Sequence, residues 1–323
     1  MTDTGPLQWA HPIHGALLKR TQPARAAIVT ANRYLVRVHR AAVATTLAVA
    51  VALGGCASAP KPTPSVAVES GAAEPAPSQS VTAASPTPSP SRTGPLFEPE
   101  TVTLNVSGYW SWAFLDFKTG QLVGSTPPTA TSDTASMSKA WVAADYLRRA
   151  GEKGQQPSKT IMSELSTMIR DSDTTHTFEF HVANGNLASI QRMSKMCGLT
   201  ETRGTQNSWS LTQMSARDVA RLAKCIADGR AAGPKWTSWL LNEMRNVRGP
   251  GRFGIIEALP ADVAKTTAIK NGWLARDDGQ WHIACMATGD GWSLAVMARY
   301  RSTLGKDYGA KTCREVTKQL LAD

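Results

Sequence analysis

The sequence predicts an α+β domain in which an antiparallel sheet, built from both ends of the folded region, carries a helical subdomain between them. Three observations predict it. Runs rich in β-branched and aromatic residues occur at residues 102–115 and 121–123, and again at 264–272, 281–288 and 292–300. Between them lie segments with helical apolar spacing and capping residues, and a final helix is expected from about Ala310. Strands at both ends with helices between them close one sheet from distant parts of the chain.

The elements begin after a long preamble. Residues 1–55 read as a cytoplasmic extension and export signal. A 13-residue apolar run at 41–53 follows Arg33, Arg37 and Arg40 and ends in Leu53-Gly54-Gly55-Cys56. It is shorter than the ~20 residues of a membrane-spanning helix and has the charged, apolar and small-residue order of a secretory signal. Its end resembles a lipoprotein lipobox, which implies acylation of Cys56 and anchoring of an exported protein to the outer face of the cytoplasmic membrane; an uncleaved signal anchor is the alternative. The 40 residues ahead of the run are long for such a signal, so translation is expected to start downstream, near Val36. Initiation mapped to Met1 would refute that. Residues 56–100 hold the lipidated Cys and a Pro/Ser/Ala-rich tether containing 10 of the chain's 19 prolines, too polar to offset its ordering entropy and extended by its prolines.

Residues 101–323 form the folded domain. Asp116-Phe117-Lys118-Thr119-Gly120 joins the first two β-rich runs as a hairpin turn. A helical segment follows from about Ser136 to Arg149. Ser158 can cap a helix with Ile161, Leu165, Met168 and Ile169 on one face, and Ser215-Ala216-Arg217-Asp218 reads as a capping box before Val219, Leu222, Ala223 and Ile226. Cys197, Cys225, Cys285 and Cys313 are an even set in an exported chain. The pairing Cys197–Cys225 with Cys285–Cys313 is favoured because it joins sequential elements; four buried free thiols are the alternative.

The formal charge of +10 does not indicate nucleic acid. Six basic residues against Asp3 place +5 of it ahead of Cys56, and the remainder carries no helix-turn-helix, zinc-finger or aromatic RNA-binding signature. A monomer facing an anionic envelope fits this balance. Phosphate-binding glycine loops are missing from the sequence. His176 and His181 are spaced by five rather than the four usual for helical metal pairs, so neither metal nor cofactor is expected. His282 reads as a packed or surface residue, and among the Trp residues only Trp273 is a site candidate.

Chemistry is concentrated in three elements. Ser136-Met137-Ser138-Lys139 puts a hydroxyl and an amine on one face of a helix start, where the amine can take the hydroxyl proton and unpaired N–H groups can receive an oxyanion. Ser58-Ala59-Pro60-Lys61 has the same form inside the tether, so the motif alone is weak. Ser172-Asp173-Thr174 follows a helix, and Lys270-Asn271-Gly272-Trp273 ends a predicted strand. Taken in this order, the three elements resemble those of the serine β-lactamase and penicillin-binding (D,D-peptidase) family, closest to short class A-related serine hydrolases. The literal Lys118-Thr119-Gly120 precedes Ser136 and serves a turn.

The resemblance implies Ser136 as nucleophile, Lys139 as base, Ser172 as proton relay and Lys270 as electrostatic anchor. Thr174, Asn271, Gly272 and Trp273 are implied to bind substrate, with the N–H groups of Ser136 and Trp273 as oxyanion hole. Thr174 stands where the family has Asn, and Asn271 where it has a hydroxyl residue. The class A glutamate that activates the deacylating water has no counterpart in 200–209, where Glu201 is the nearest acid and reads as a surface carboxylate. These features imply acyl-enzyme formation on β-lactam, peptidoglycan-peptide or ester substrates without efficient β-lactamase turnover; a catalytically silent lipoprotein binding cell-wall fragments or a protein partner is the alternative.

Overall fold

A computed structural model describes residues 95–322 apart from 100, 128 and 207. The signal, Cys56 and tether residues 57–94 lie outside the described residues. In chain order the elements are β1 (Tyr109–Asp116), β2 (Leu122–Gly124), β3 (Thr131–Asp133), a 3-10 turn (Ala135–Ser138) running into α1 (Lys139–Glu152), α2 (Lys159–Arg170), α3 (Thr175–Ala183), α4 (Leu187–Cys197), β4 (Gln213–Ser215), α5 (Ala216–Ala227) and α6 (Pro234–Arg245). The short helices α7 (Ile255–Ala258) and α8 (Ala261–Thr266) lead to β5 (Ala268–Ile269), β6 (Gly272–Ala275), β7 (Gln280–Gly289), β8 (Trp292–Arg301) and α9 (Gly305–Leu320).

The main sheet runs β2-β1-β8-β7-β5, with β6 also on β7. Its antiparallel pairs join the two ends of the domain: Tyr109 faces Arg299 and Asp116 faces Trp292 along β1 and β8. Nearly every residue of β7 and β8 is buried. Helices on both faces explain this. Cys285 of β7 is bonded to Cys313 of α9, while Ser293 of β8 donates to the Ala220 carbonyl of α5. Ser293 is registered with Thr288, three residues from Cys285, so the two contacts leave from opposite faces.

The helical layer is tied by charge as well as by apolar packing. The buried Asp145 of α1 accepts from Ser189 of α4 at 2.7 Å and from Arg192 at 2.5 Å, and Cys197 of α4 is bonded to Cys225 of α5. Both disulfides thus take the favoured pairing.

Several sequence expectations are refined. Residues 102–108 form no strand; pairing starts at Tyr109, where β8 supplies a partner edge. The hairpin turn forms as read, with Asp116 Oδ1 accepting from Thr119 N–H at 2.7 Å and Gly120 at φ +71°. Residues 264–266 are helical, so the strand expected from Ala264 starts at Ala268. Ser158 and Ser215 cap as expected. Asp218, however, does not close the box: its carboxylate receives the N–H groups of Thr200 and Glu201, bracing the segment ahead of β4.

Candidate active site

The first strand of the small sheet leads into the turn that carries Ser136, the candidate nucleophile. β3 pairs with β4, and beyond it Thr134 and Ala135 donate their N–H groups to the carbonyls of Thr212 and Ser210, each at 2.9 Å. Ser138 Oγ donates to the carbonyls of Ala135 and Trp209 at 3.0 and 3.1 Å. Residues 209–212 therefore clamp the turn from one side. Ala135 is held at φ 45°, a left-handed conformation that a residue with a Cβ adopts at a cost. Ser136 is half-buried, while its neighbours Ala135, Met137, Ser138 and Lys139 are buried.

Lys139, one turn on, is enclosed. Its ammonium donates to the Ser172 carbonyl and to Thr174 Oγ1, the latter at 3.3 Å. Burial pushes its pKa down to about 8, with the nearby Asp173 carboxylate opposing the shift. Asp173 also holds the start of α3, accepting from the His176 N–H at 2.7 Å. Ser172 stands between two lysines at φ 63°. Its carbonyl faces Lys139, while its hydroxyl accepts from Lys270 Nζ at 2.9 Å. Lys270 is wholly buried, and burial together with the Lys139 charge drives its pKa well below the ordinary lysine value.

The fourth contributor is the free edge of β6. Lys270 N–H donates to Met286 and Arg276 N–H to Gln280, so even-numbered residues of this stretch make the ladder bonds with β7. By the antiparallel alternation, the N–H of Trp273 points away from β7, at the unpaired edge of β6. Gly272 makes a close backbone approach possible: a Cβ there would lie 2.1 Å from the Thr134 carbonyl oxygen and 2.9 Å from the Ser136 nitrogen. The β6 backbone thus packs directly against the turn that carries Ser136. Trp273 packs edge-on against Phe253, and the Lys306 ammonium lies over both rings.

Of the sequence candidates, Lys139, Ser172, Thr174 and Lys270 are joined by hydrogen bonds, and Gly272 packs against the backbone of the turn that carries Ser136. Asn271 differs. Its amide donates to the carbonyls of Gly251 and Phe253 at 3.0 and 2.8 Å, so this side chain supports the 249–253 turn. Glu201 is engaged elsewhere, accepting from Thr200 and Ser215; burial raises its pKa less than those hydrogen bonds and Arg221 lower it. His282 is a packed residue, its Nδ1 3.3 Å from the Asp133 N–H and 3.0 Å from Ser132 Oγ. Lys118 to Gly120 sit in the β1–β2 turn. No group of three or more His, Cys, Asp and Glu side chains converges among the described residues. A cavity of about 630 Å³ lined by Trp110, Trp112 and Thr126 lies by β1 and β2, at the other end of the sheet from β6.

Sequence reasoning missed the clamp formed by residues 209–212 and the role of Asp173 opposite Lys139. The clamp acts through backbone carbonyls and leaves no residue-type signal. Asp173 was legible only as the middle of the Ser172-Asp173-Thr174 element.

Solved structures of similar architecture are class A β-lactamases. A reconstructed ancestral class A enzyme superposes with a TM-score of 0.53 at 16% identity over 66% of this chain and 93% of its own. The fold is that of the class A β-lactamases. A β-lactamase from Burkholderia vietnamiensis gives a TM-score of 0.56 at 16% identity, covering 66% of this chain and 89% of its own. A class A β-lactamase from Mycobacterium abscessus gives 0.51 at 15%, covering 66% and 94%. No family model matches the sequence, and no curated protein matches it. In this fold the strand edge, the helix start and the helix end that hold the candidate residues come together by topology.

Proposed function

We propose that the chain is an exported serine acyl-transfer hydrolase, anchored through Cys56 and held off the membrane by residues 57–100. The observation that carries this reading is that Ser172 is held between Lys139, at its carbonyl, and Lys270, at its hydroxyl, beside the strained turn that carries Ser136. In the acylation step neutral Lys139 takes the Ser136 proton as Oγ forms a bond to the substrate carbonyl carbon. The negative charge on the carbonyl oxygen is met by the N–H groups of Ser136 and Trp273. The bond to the leaving nitrogen or oxygen then breaks, and the proton passes by way of Ser172 to the leaving atom, regenerating neutral Lys139. Lys270 holds Ser172 in place and favours an anionic substrate group. Water later releases the acid and restores the Ser136 hydroxyl.

Substrates on this reading are β-lactams, cell-wall peptides or esters. No acid lies between Glu201 and Asp218, and the 209–212 carbonyls are committed to the nucleophile turn, so hydrolysis of the acyl-enzyme is the slow step. Intact-mass analysis after incubation with a fluorescent penicillin or a fluorophosphonate tests the proposal. A single adduct on the wild type that is lost in Ser136→Ala supports it. A folded protein that forms no adduct with either probe refutes it and leaves the non-enzymatic binding lipoprotein.

A further inference from the structure

Large exposed apolar side chains among the described residues are Phe178, Val182 and Leu304, at 55%, 48% and 42% exposure. Two of them share one helix and one side of it. Phe178 N–H donates to the Thr174 carbonyl at 3.1 Å, which sets Phe178 one turn beyond Thr174, and Val182 follows a turn later. Thr174 already has helical backbone angles, and its hydroxyl meets Lys139 Nζ. The stripe Thr174–Phe178–Val182 therefore starts at the proposed base and runs outward along α3 for roughly 12 Å. The Phe178 ring lies 6.5 Å from that of Trp209, whose carbonyl accepts from Ser138 in the nucleophile turn. An exposed apolar wall of Phe178 and Val182 thus leads away from the residue that meets Lys139, with Phe178 more than half uncovered.

We infer that this wall is the specificity surface for the acyl group of the substrate, and that the chain acts on esters of medium-length apolar acids, with the acyl chain lying over Phe178 and its end against Val182. The inference rests on the acyl-transfer reading above. The step balances as before: the acyl carbon leaves the alkoxide oxygen for Ser136 Oγ, the hydroxyl proton ends on the released alcohol, and water later liberates the fatty acid. Two turns of α3 match the reach of hexanoyl and octanoyl groups. An acetyl group stops short of Phe178.

The test compares 4-methylumbelliferyl acetate, hexanoate and octanoate as acylating agents of the full chain, each rate normalised to its uncatalysed hydrolysis. Full burial of a methylene favours binding about fourfold, and a half-open wall about twofold. Hexanoate should therefore acylate Ser136 roughly tenfold or more faster than acetate. Phe178→Ser should bring that ratio close to one while leaving the acetate rate unchanged; Val182→Ser should lower octanoate and spare hexanoate. Phe178→Ala repeats the test with a different truncation, and Leu304→Ser, which removes the exposed apolar residue outside the stripe, should change nothing. Acetate labelling of Ser136 with a flat chain-length profile overturns the acyl-chain wall and leaves the acyl-transfer reading intact. A preference that survives Phe178→Ser overturns it as well. So does a wild-type dimer that Phe178→Ser converts to monomer without altering chain-length selectivity, which would give the stripe to a second copy. Failure of every ester and of the fluorophosphonate to label Ser136 overturns both proposals.

Discussion

Gly272→Ala is a severe test of how the cleft is assembled, because the perturbation is one methyl group aimed at backbone. The added Cβ would stand 2.1 Å from the Thr134 oxygen, 2.7 Å from Met137 N and 2.9 Å from Ser136 N. Ordinary carbon–oxygen approach is about 3.3 Å, so strand and turn must separate by roughly 1 Å. Neither side yields easily. The turn is fixed by the Ser210 and Thr212 carbonyls, and β6 by its ladder to β7. A displacement of about 1 Å in a positioning group costs on the order of a hundredfold in rate, and overpacking of this kind costs ~1–3 kcal/mol in stability. The assay is the second-order rate of adduct formation with a fluorophosphonate, followed by intact mass, alongside urea denaturation. A variant that folds, loses about 2 kcal/mol and labels about a hundredfold more slowly is expected. Wild-type labelling at wild-type stability would show that β6 does not bear on the nucleophile turn, and the reasoning about the Trp273 N–H would fall with it.

Other perturbations address single links. Labelling of Ser136 should rise with pH and level off above about 8, since acylation needs neutral Lys139 and its pKa is lowered to about 8; a profile that falls over that range refutes Lys139 as base. Ser172→Ala should slow labelling by about a hundredfold or more by breaking the proton path, and should also cost ~1–3 kcal/mol in urea denaturation because the buried Lys270 ammonium loses its 2.9 Å partner. Asn271→Ala should cost ~1–3 kcal/mol by stranding the Gly251 and Phe253 carbonyls while Ser136 remains reactive. Replacing Cys197 and Cys225 by Ala opens a loop of sequence separation 28 and should cost about 2–4 kcal/mol in urea denaturation.

Much of this site was legible because chemistry at a helix start is written locally. Ser136 and Lys139 must be three residues apart to share a face, and that spacing survives any tertiary context. Ser172 and Lys270 were legible by order along the chain, and the pairing of cysteines by proximity of sequential elements. Where the reading failed, the deciding partner was remote. Asn271 looked like a substrate ligand because of its neighbours, yet strand alternation and the loop at 249–253 decide what its amide touches. Residues 264–266 read as the start of a strand but close the short helix α8 instead, and pairing with β7 begins only at Ala268, opposite Thr288. Asp218 completes a capping pattern in sequence, but a carboxylate takes the partners within reach, and the Thr200–Glu201 backbone came closer.

On the proposed mechanism, the segment between α4 and α5 separates making an acyl-enzyme from breaking it. Acylation needs a hydroxyl fixed against two N–H donors and a base, and residues 209–212 supply that rigidity by giving their carbonyls to Thr134, Ala135 and Ser138. Deacylation needs a carboxylate or imidazole free to take a proton from water beside the ester carbon. Here the segment after Glu201 offers neither, and several hydroxyls bond within it: Thr205 donates to the Ser208 carbonyl at 2.8 Å, and the Ser208 and Ser210 hydroxyls are hydrogen-bonded at 2.9 Å. His181 is buried against the Trp209 ring two turns along α3 from Thr174, and burial lowers its pKa. About 10 Å of helix rise separates it from Thr174, the residue of α3 that meets Lys139. In the proposed mechanism the same residues that steady the nucleophile therefore leave its ester to uncatalysed attack, so a burst of one acyl group per chain followed by slow turnover is the kinetic form this geometry supports.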